Sequence, residues 1–144
     1  IFILSLLIGG LSEIVKQRGG IDALTKVVNG IVQKIFHSSK KKAASAGIAF
    51  LAFVSNFFTA NNTISIIFTG ETAKKLSESG EIPPAKSASY LDIFACISQG
   101  LIPYGAQALL LGTSLGISPT SVVAFAFYPM ILFVFGVIAI AKTR

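Results

Sequence analysis

The sequence predicts an all-α polytopic membrane protein, and three observations carry that reading. Residues 43–70 hold no charged side chain, and residues 93–141 hold none either. Only 12% of the chain is charged and its mean hydropathy is +0.77, whereas soluble domains carry roughly 25% charged residues. The charges that exist sit in clusters between the apolar runs, so no soluble domain can be assigned. The net charge is +6. A basic chain can suggest nucleic acid, but here the bases flank hydrophobic spans, which points to membrane topology. Cys96 is the lone cysteine and His37 the lone histidine. That excludes a disulfide framework and a zinc site. No nucleophile–base pair can be assembled, so an enzyme is not expected and no cofactor is called for.

Taken in order, residues 1–11 are apolar but too short to cross a bilayer about 30 Å thick. They read as the end of a truncated span, with no basic n-region of a signal peptide. Residues 21–38 follow. Ile21, Leu24, Val28, Ile31 and Ile35 share one helical face, and Asp22, Lys26, Asn29, Gln33 and Lys34 lie away from it. An amphipathic helix lying in the interface fits this pattern. A surface helix packed on protein would give the same one.

The charge-free run of residues 43–70 is about 42 Å long if wholly helical. Near its middle stands Thr59-Ala60-Asn61-Asn62-Thr63. Polar side chains at that depth are costly in hydrocarbon. Either they glue neighbouring helices together, or they mark a broken helix whose freed polar groups face a solute. The flanking charges favour a hairpin. Lys40, Lys41 and Lys42 precede the run, and Lys74, Lys75 and Lys86 follow it. Positive residues prefer the cytoplasmic side. A hairpin over residues 43–76 that turns at the Asn pair keeps both groups on that side, whereas a single span would not.

Residues 77–89 read as a loop, with Gly80, Pro83, Pro84 and four serines. Ser89 and Asp92 have capping-box spacing, which predicts a helix beginning near Tyr90. The 49 residues 93–141 are then two crossings joined by Leu115-Gly116-Ile117-Ser118-Pro119. Gly stops one helix, Ser caps the next and Pro fills its first position. The first crossing, residues 90–116, is interrupted by Gln99-Gly100-Leu101-Ile102-Pro103-Tyr104-Gly105-Ala106-Gln107. Pro103 removes a backbone donor and clashes with the preceding turn. The closing crossing, residues 119–142, reads as an ordinary span. Two interrupted segments at similar depth are the sequence pointer to a solute site between them.

The motifs Thr59-Ala60-Asn61-Asn62-Thr63, Gly70-Glu71, Ser87-Ala88-Ser89-Tyr90-Leu91-Asp92 and Ile102-Pro103-Tyr104-Gly105-Ala106-Gln107 resemble the C-terminal part of NhaC-type sodium/proton antiporters. The resemblance covers most of the chain from about Gly9 onward. It implies one repeat of an inverted-repeat transporter, with an interfacial arm, a re-entrant hairpin and a broken helix. The first repeat is then expected as a partner outside this sequence, beside the lipid bilayer and a second copy of the chain. The implied location is the inner cell membrane, with the Lys/Arg-rich loops and C-terminus cytoplasmic. The implied cargo is a sodium ion exchanged for protons.

Sodium wants hard oxygens. Asn61, Asn62 and Thr63, with Thr59, would hold it transiently, opposite Gln99, Pro103, Tyr104 and Gln107. A helix starting near Thr63 would favour an anion instead, so an ion-coupled carrier of small organic anions such as lactate, malate or an amino acid stays open. So does a membrane scaffold whose polar breaks are only helix glue. Proton exchange needs a titrating group, and the nearest candidates are Glu71 and Asp92. Each has a plainer reading: Glu71 as an i,i+4 partner of Lys75, and Asp92 as a helix-start carboxylate.

Overall fold

Asn, Gly and Pro divide the chain where they stand, and the helices between them are held by small residues. The computed structural model describes residues 14, 17–19, 26, 30 and 39–143. The expected truncated span and nearly all of the interfacial helix lie outside the described residues. Among those residues the chain is all-helical: α1 (Lys40–Thr59), α2 (Asn62–Ser79), α3 (Pro84–Leu101), α4 (Ala106–Leu115), α5 (Pro119–Ala124) and α6 (Phe127–Ala141).

Helix α1 ends because Ala60 turns into the left-handed region, φ 51°, with its N–H bonded to the Asn56 carbonyl at 2.8 Å. Asn61 then caps α2, its Oδ1 accepting from the Ile64 N–H at 3.1 Å. Two residues therefore reverse the chain, and α1 and α2 pack as a helical hairpin. The Ser65 hydroxyl donates to the Ala52 carbonyl across it. At the far end Gly80 lies against Ala44, and a Cβ there would overlap the alanine.

The connection to α3 is shorter than the composition suggests. The expected loop over residues 77–89 is helical at both ends, and only residues 80–83 connect. Pro84 is the reason. It opens α3 at the first helical position, where the missing N–H is harmless. Ser89 lies inside the helix, donating back to the Ala85 carbonyl at 2.9 Å. It is not a cap, and the broken crossing begins at Pro84 rather than at Tyr90.

Helix α3 packs beside both arms of the hairpin. The buried core between them includes Ile48, Ala52, Ala73, Leu76, Ala95 and Ile97. Helix α6 runs back along α3. Gly136 meets the Phe94 ring, Gly100 receives the Pro129 ring, and Tyr90 Oη shares a hydrogen bond with Thr143 Oγ1 at 2.8 Å. Small residues at such contacts let helix backbones approach closely, as in membrane bundles. Lys40, Lys41, Lys42, Lys86 and Lys142 consequently gather at one end of the bundle, opposite the hairpin turn.

Past the break at residues 102–105, α4 and α5 form a short helical pair. Gly116 takes φ 67°, Ser118 Oγ accepts from the Ser121 N–H at 3.2 Å, and Pro119 is the first residue of α5. The closing crossing departs from the ordinary span expected over residues 119–142. It breaks at Phe125 and Ala126. Pro129 explains this: it cannot donate to the Phe125 carbonyl, and its ring clashes with that turn. It is accommodated in the first turn of a new helix, α6.

The apolar residues outside the core are numerous. Leu110, Phe125, Phe127, Tyr128 and Phe135 are well exposed. An exposed apolar surface of this extent marks a membrane or protein contact. Residues 40–59 and 84–115 are long and apolar enough to cross a bilayer, and the 15-residue α6 is shorter.

Candidate functional site

The two interruptions expected from the sequence meet in space. At the end of α1 the carbonyls lose their helical partners, and one of them, on Phe57, accepts from the Tyr104 hydroxyl at 2.5 Å. Tyr104 lies inside the second break. Its ring packs edge-on against Phe57, with centroids 5.9 Å apart. That break is built by Pro103, which leaves the Gln99 carbonyl without its i+4 donor. Ile102 is extended, the Gly105 N–H donates to the Ile102 carbonyl at 3.2 Å, and Gly105 starts α4 without a side-chain cap.

A second set of contacts lies on the inner side of the hairpin turn. Asn62 is the first residue of α2, and its Nδ2 donates to Cys96 Sγ on α3 at 3.4 Å. Cys96 Sγ in turn donates to Asp92 Oδ1 at 3.8 Å, one turn along α3. A polar chain thus runs from the turn to a carboxylate. Asn56, on the last turns of α1, is fully buried and its Nδ2 donates to the Ala95 carbonyl. Both carboxamide oxygens, Asn56 Oδ1 and Asn62 Oδ1, are enclosed and meet no donor among the described residues.

The predicted residues divide accordingly. Asn62 and Tyr104 bridge elements. Thr59 and Asn61 build the turn itself: Thr59 Oγ1 donates to the Asn61 carbonyl at 3.2 Å, and Asn61 caps α2. Pro103 makes the second break. Thr63, Gln99 and Gln107 form no side-chain hydrogen bond with another described residue; Thr63 and Gln107 are exposed and Gln99 is half-buried. Asp92 reaches the turn through Cys96. Glu71 is exposed on α2, about 12 Å along the helix from Thr63. The sequence reading passed over Asn56 and Cys96. No sequence signal marked either of them: each is a single residue in an apolar segment, and its role shows only once α3 lies beside the hairpin.

Chemically the turn offers both signs. The end of α1 presents carbonyl oxygens, and the start of α2 presents the unpaired amides of Asn62 and Thr63. On the inner side, the site atoms without a partner among the described residues are Asn56 Oδ1 and Asn62 Oδ1.

The family model for Na+/H+ antiporters matches residues 1–141. No match is found among curated proteins or among solved structures. The match spans nearly the whole chain, and it agrees with the apolar helices. The chain belongs to the Na+/H+ antiporter family.

Proposed function

We propose that this chain forms one repeat of an NhaC-type secondary antiporter, with sodium taken between the hairpin turn and the Pro103 break. The observation that carries the reading is the contact between the two interruptions, made by Tyr104 on the Phe57 carbonyl. Freed backbone groups at membrane depth are tolerated where they line a solute cavity. Asn61, Asn62, Thr63 and Thr59 supply oxygens on one side. Gln99, Tyr104 and Gln107 supply polar groups on the other. Uncharged oxygens hold sodium weakly enough for it to leave. In this reading α1 and α2 are a re-entrant hairpin, the lysine-rich end of the bundle faces the cytoplasm, and an inverted first repeat completes the site.

Proton coupling falls to Asp92 in this proposal, because its carboxylate is joined through Cys96 to Asn62. Glu71 is set aside on distance: it lies about 12 Å along α2 from Thr63 and is exposed. The test uses the full-length carrier in vesicles. Asp92→Asn is expected to abolish sodium-driven proton movement, at least a hundredfold, with expression intact. Glu71→Gln is expected to keep most of it. Normal exchange in Asp92→Asn would remove Asp92 from the mechanism.

One observation favours a second reading, an ion-coupled carboxylate carrier. The unpaired amides at the start of α2 and the uncapped start of α4 are groups that attract anions. Sodium-dependent uptake of a labelled carboxylate, without proton exchange, would select it.

A further inference from the structure

We infer that an anionic phospholipid binds in the groove between α1 and α6, with an acyl chain laid over Phe94 and its phosphate on Lys42 and Lys142. The groove is on the flank of the bundle, and the inference does not depend on where an ion is held.

Small residues shape the groove. Helices α1 and α6 both pack on α3 and leave a partly open space of about 450 Å³ between them. Ala46 and Ala49 line it on α1, Val137 and Ala141 on α6, and Phe94 on α3. Gly136 lets α6 close onto the Phe94 ring, whereas the two alanines of α1 leave the opposite side unfilled. Away from the lysine end, the rings of Phe94 and Phe133 meet edge-on, with centroids 6.4 Å apart. From Ala141 back to Phe133 the groove runs about 12 Å. One leaflet, half of a hydrocarbon core about 30 Å thick, spans about 15 Å. Every lining residue is apolar, so the space suits an acyl chain and offers nothing to a polar solute.

Charge at the mouth distinguishes this groove from an ordinary lipid-facing surface. Lys42 precedes Ala46 by four residues and so shares its face of α1; its side chain is half-buried. Lys142 follows Ala141 directly and is exposed. Neither ammonium is ion-paired with another described residue. The acids of that end are turned away. Glu78 and Glu81 flank Gly80, which meets Ala44. Ala44 is two residues, about 200° around the helix, from both Lys42 and Ala46. Asp92 stands in the same relation to Phe94 on α3. The mouth is therefore positive without a protein counter-charge, directly above an apolar slot. Lysine stems can cover the slot while their ammonium groups reach a headgroup. A phosphatidylcholine would supply the same chain but bring its own cation to the lysines.

The experiment is thermal unfolding of the full-length carrier in neutral detergent. A lipid that binds only the folded state raises the melting temperature. Phosphatidylglycerol is expected to do so at about twenty-fold lower concentration than phosphatidylcholine with the same chains, taking about fivefold per lysine. Lys42→Gln is expected to need about fivefold more phosphatidylglycerol. Lys74→Gln, an equal loss of charge at an exposed position on α2, is expected to change nothing. Ala46→Phe fills the groove and is expected to abolish the rise with both lipids. Equal potency of the two lipids, equal losses in Lys42→Gln and Lys74→Gln, or a full rise in folded Ala46→Phe each overturn the inference. If Ala46→Phe does not fold, the two lysine variants decide alone. No rise with either lipid also overturns it, and an Ala46→Phe that then melts lower without lipid assigns the groove to a protein segment. Sodium/proton exchange is assayed on the same preparations. A lipid rise without any exchange overturns the antiport reading and supports this one.

Discussion

The two helix breaks that meet at the site are built in opposite ways. The hairpin turn is closed by its own residues. Ala60 bonds back to Asn56, Asn61 caps α2, and Thr59 bonds forward to the Asn61 carbonyl. The break at residues 102–105 is imposed by Pro103 and has no side-chain cap. Tyr104 ties it across the site: its ring meets Phe57 edge-on, and its hydroxyl satisfies a carbonyl on the hairpin instead of one on its own helix. The first break is a self-contained structural unit. The second depends on the first. Under the proposed antiport, that difference fits the hairpin as the rigid wall and the α3–α4 joint as the wall that responds.

The largest expected effect comes from healing the second break. Pro103→Ala restores the donor for the Gln99 carbonyl and removes the ring clash. Relief of a proline in a helix interior is worth about 3 kcal/mol, or roughly a hundredfold in local opening. Amide exchange across residues 102–105 of the full carrier is expected to slow by that factor, with sodium/proton exchange falling to background. Unchanged amide exchange would mean that packing, with Gly100 seated on Pro129, sets the break rather than the proline.

How much of this was legible follows from the same physics. Breaks written in adjacent signals were readable: Asn61 and Asn62 inside an apolar run, Pro103 between two glycines, Gly116 to Pro119 at the turn. The third break was not, because Pro129 acts at a distance. Its ring and missing donor disturb Phe125 and Ala126, which carry no signal of their own. The loop over residues 77–89 was overread for the converse reason. Serines and prolines favour loops on average, yet Pro84 at a first helical position starts a helix, and Ser89 is absorbed by bonding to its own turn. Within the site, Asn62 and Tyr104 could be named from motif and depth. Asn56 and Cys96 could not, since each is a single residue in an apolar segment and gains meaning only when α3 is laid beside the hairpin.

A smaller change tests whether the two breaks are tied. Tyr104→Phe keeps the edge-on ring contact with Phe57 and deletes the hydroxyl. A neutral hydrogen bond contributes about 1 kcal/mol, and the orphaned Phe57 carbonyl adds to the loss. The variant is expected to unfold at lower denaturant concentration by about that amount, with a faster amide exchange at residues 102–105 and none at residues 60–64. Equal loosening of both breaks would contradict the asymmetry.

The smallest effect is decided by its sign. Ala60 holds φ 51°, a conformation that disfavours an L-residue by roughly 1–2 kcal/mol. Glycine adopts it freely but loses about 0.5–1 kcal/mol of chain entropy on folding. The two terms nearly cancel, so Ala60→Gly is expected to be neutral or stabilising by a few tenths of a kcal/mol. If residue 60 instead belonged to a continuous helix, the same substitution would destabilise by about 1 kcal/mol. Equilibrium unfolding of the two full-length proteins therefore separates a true reversal at the Asn pair from a single long span. A clear loss of stability would close the hairpin turn into a helix and, with it, remove the wall against which Tyr104 and α3 are set.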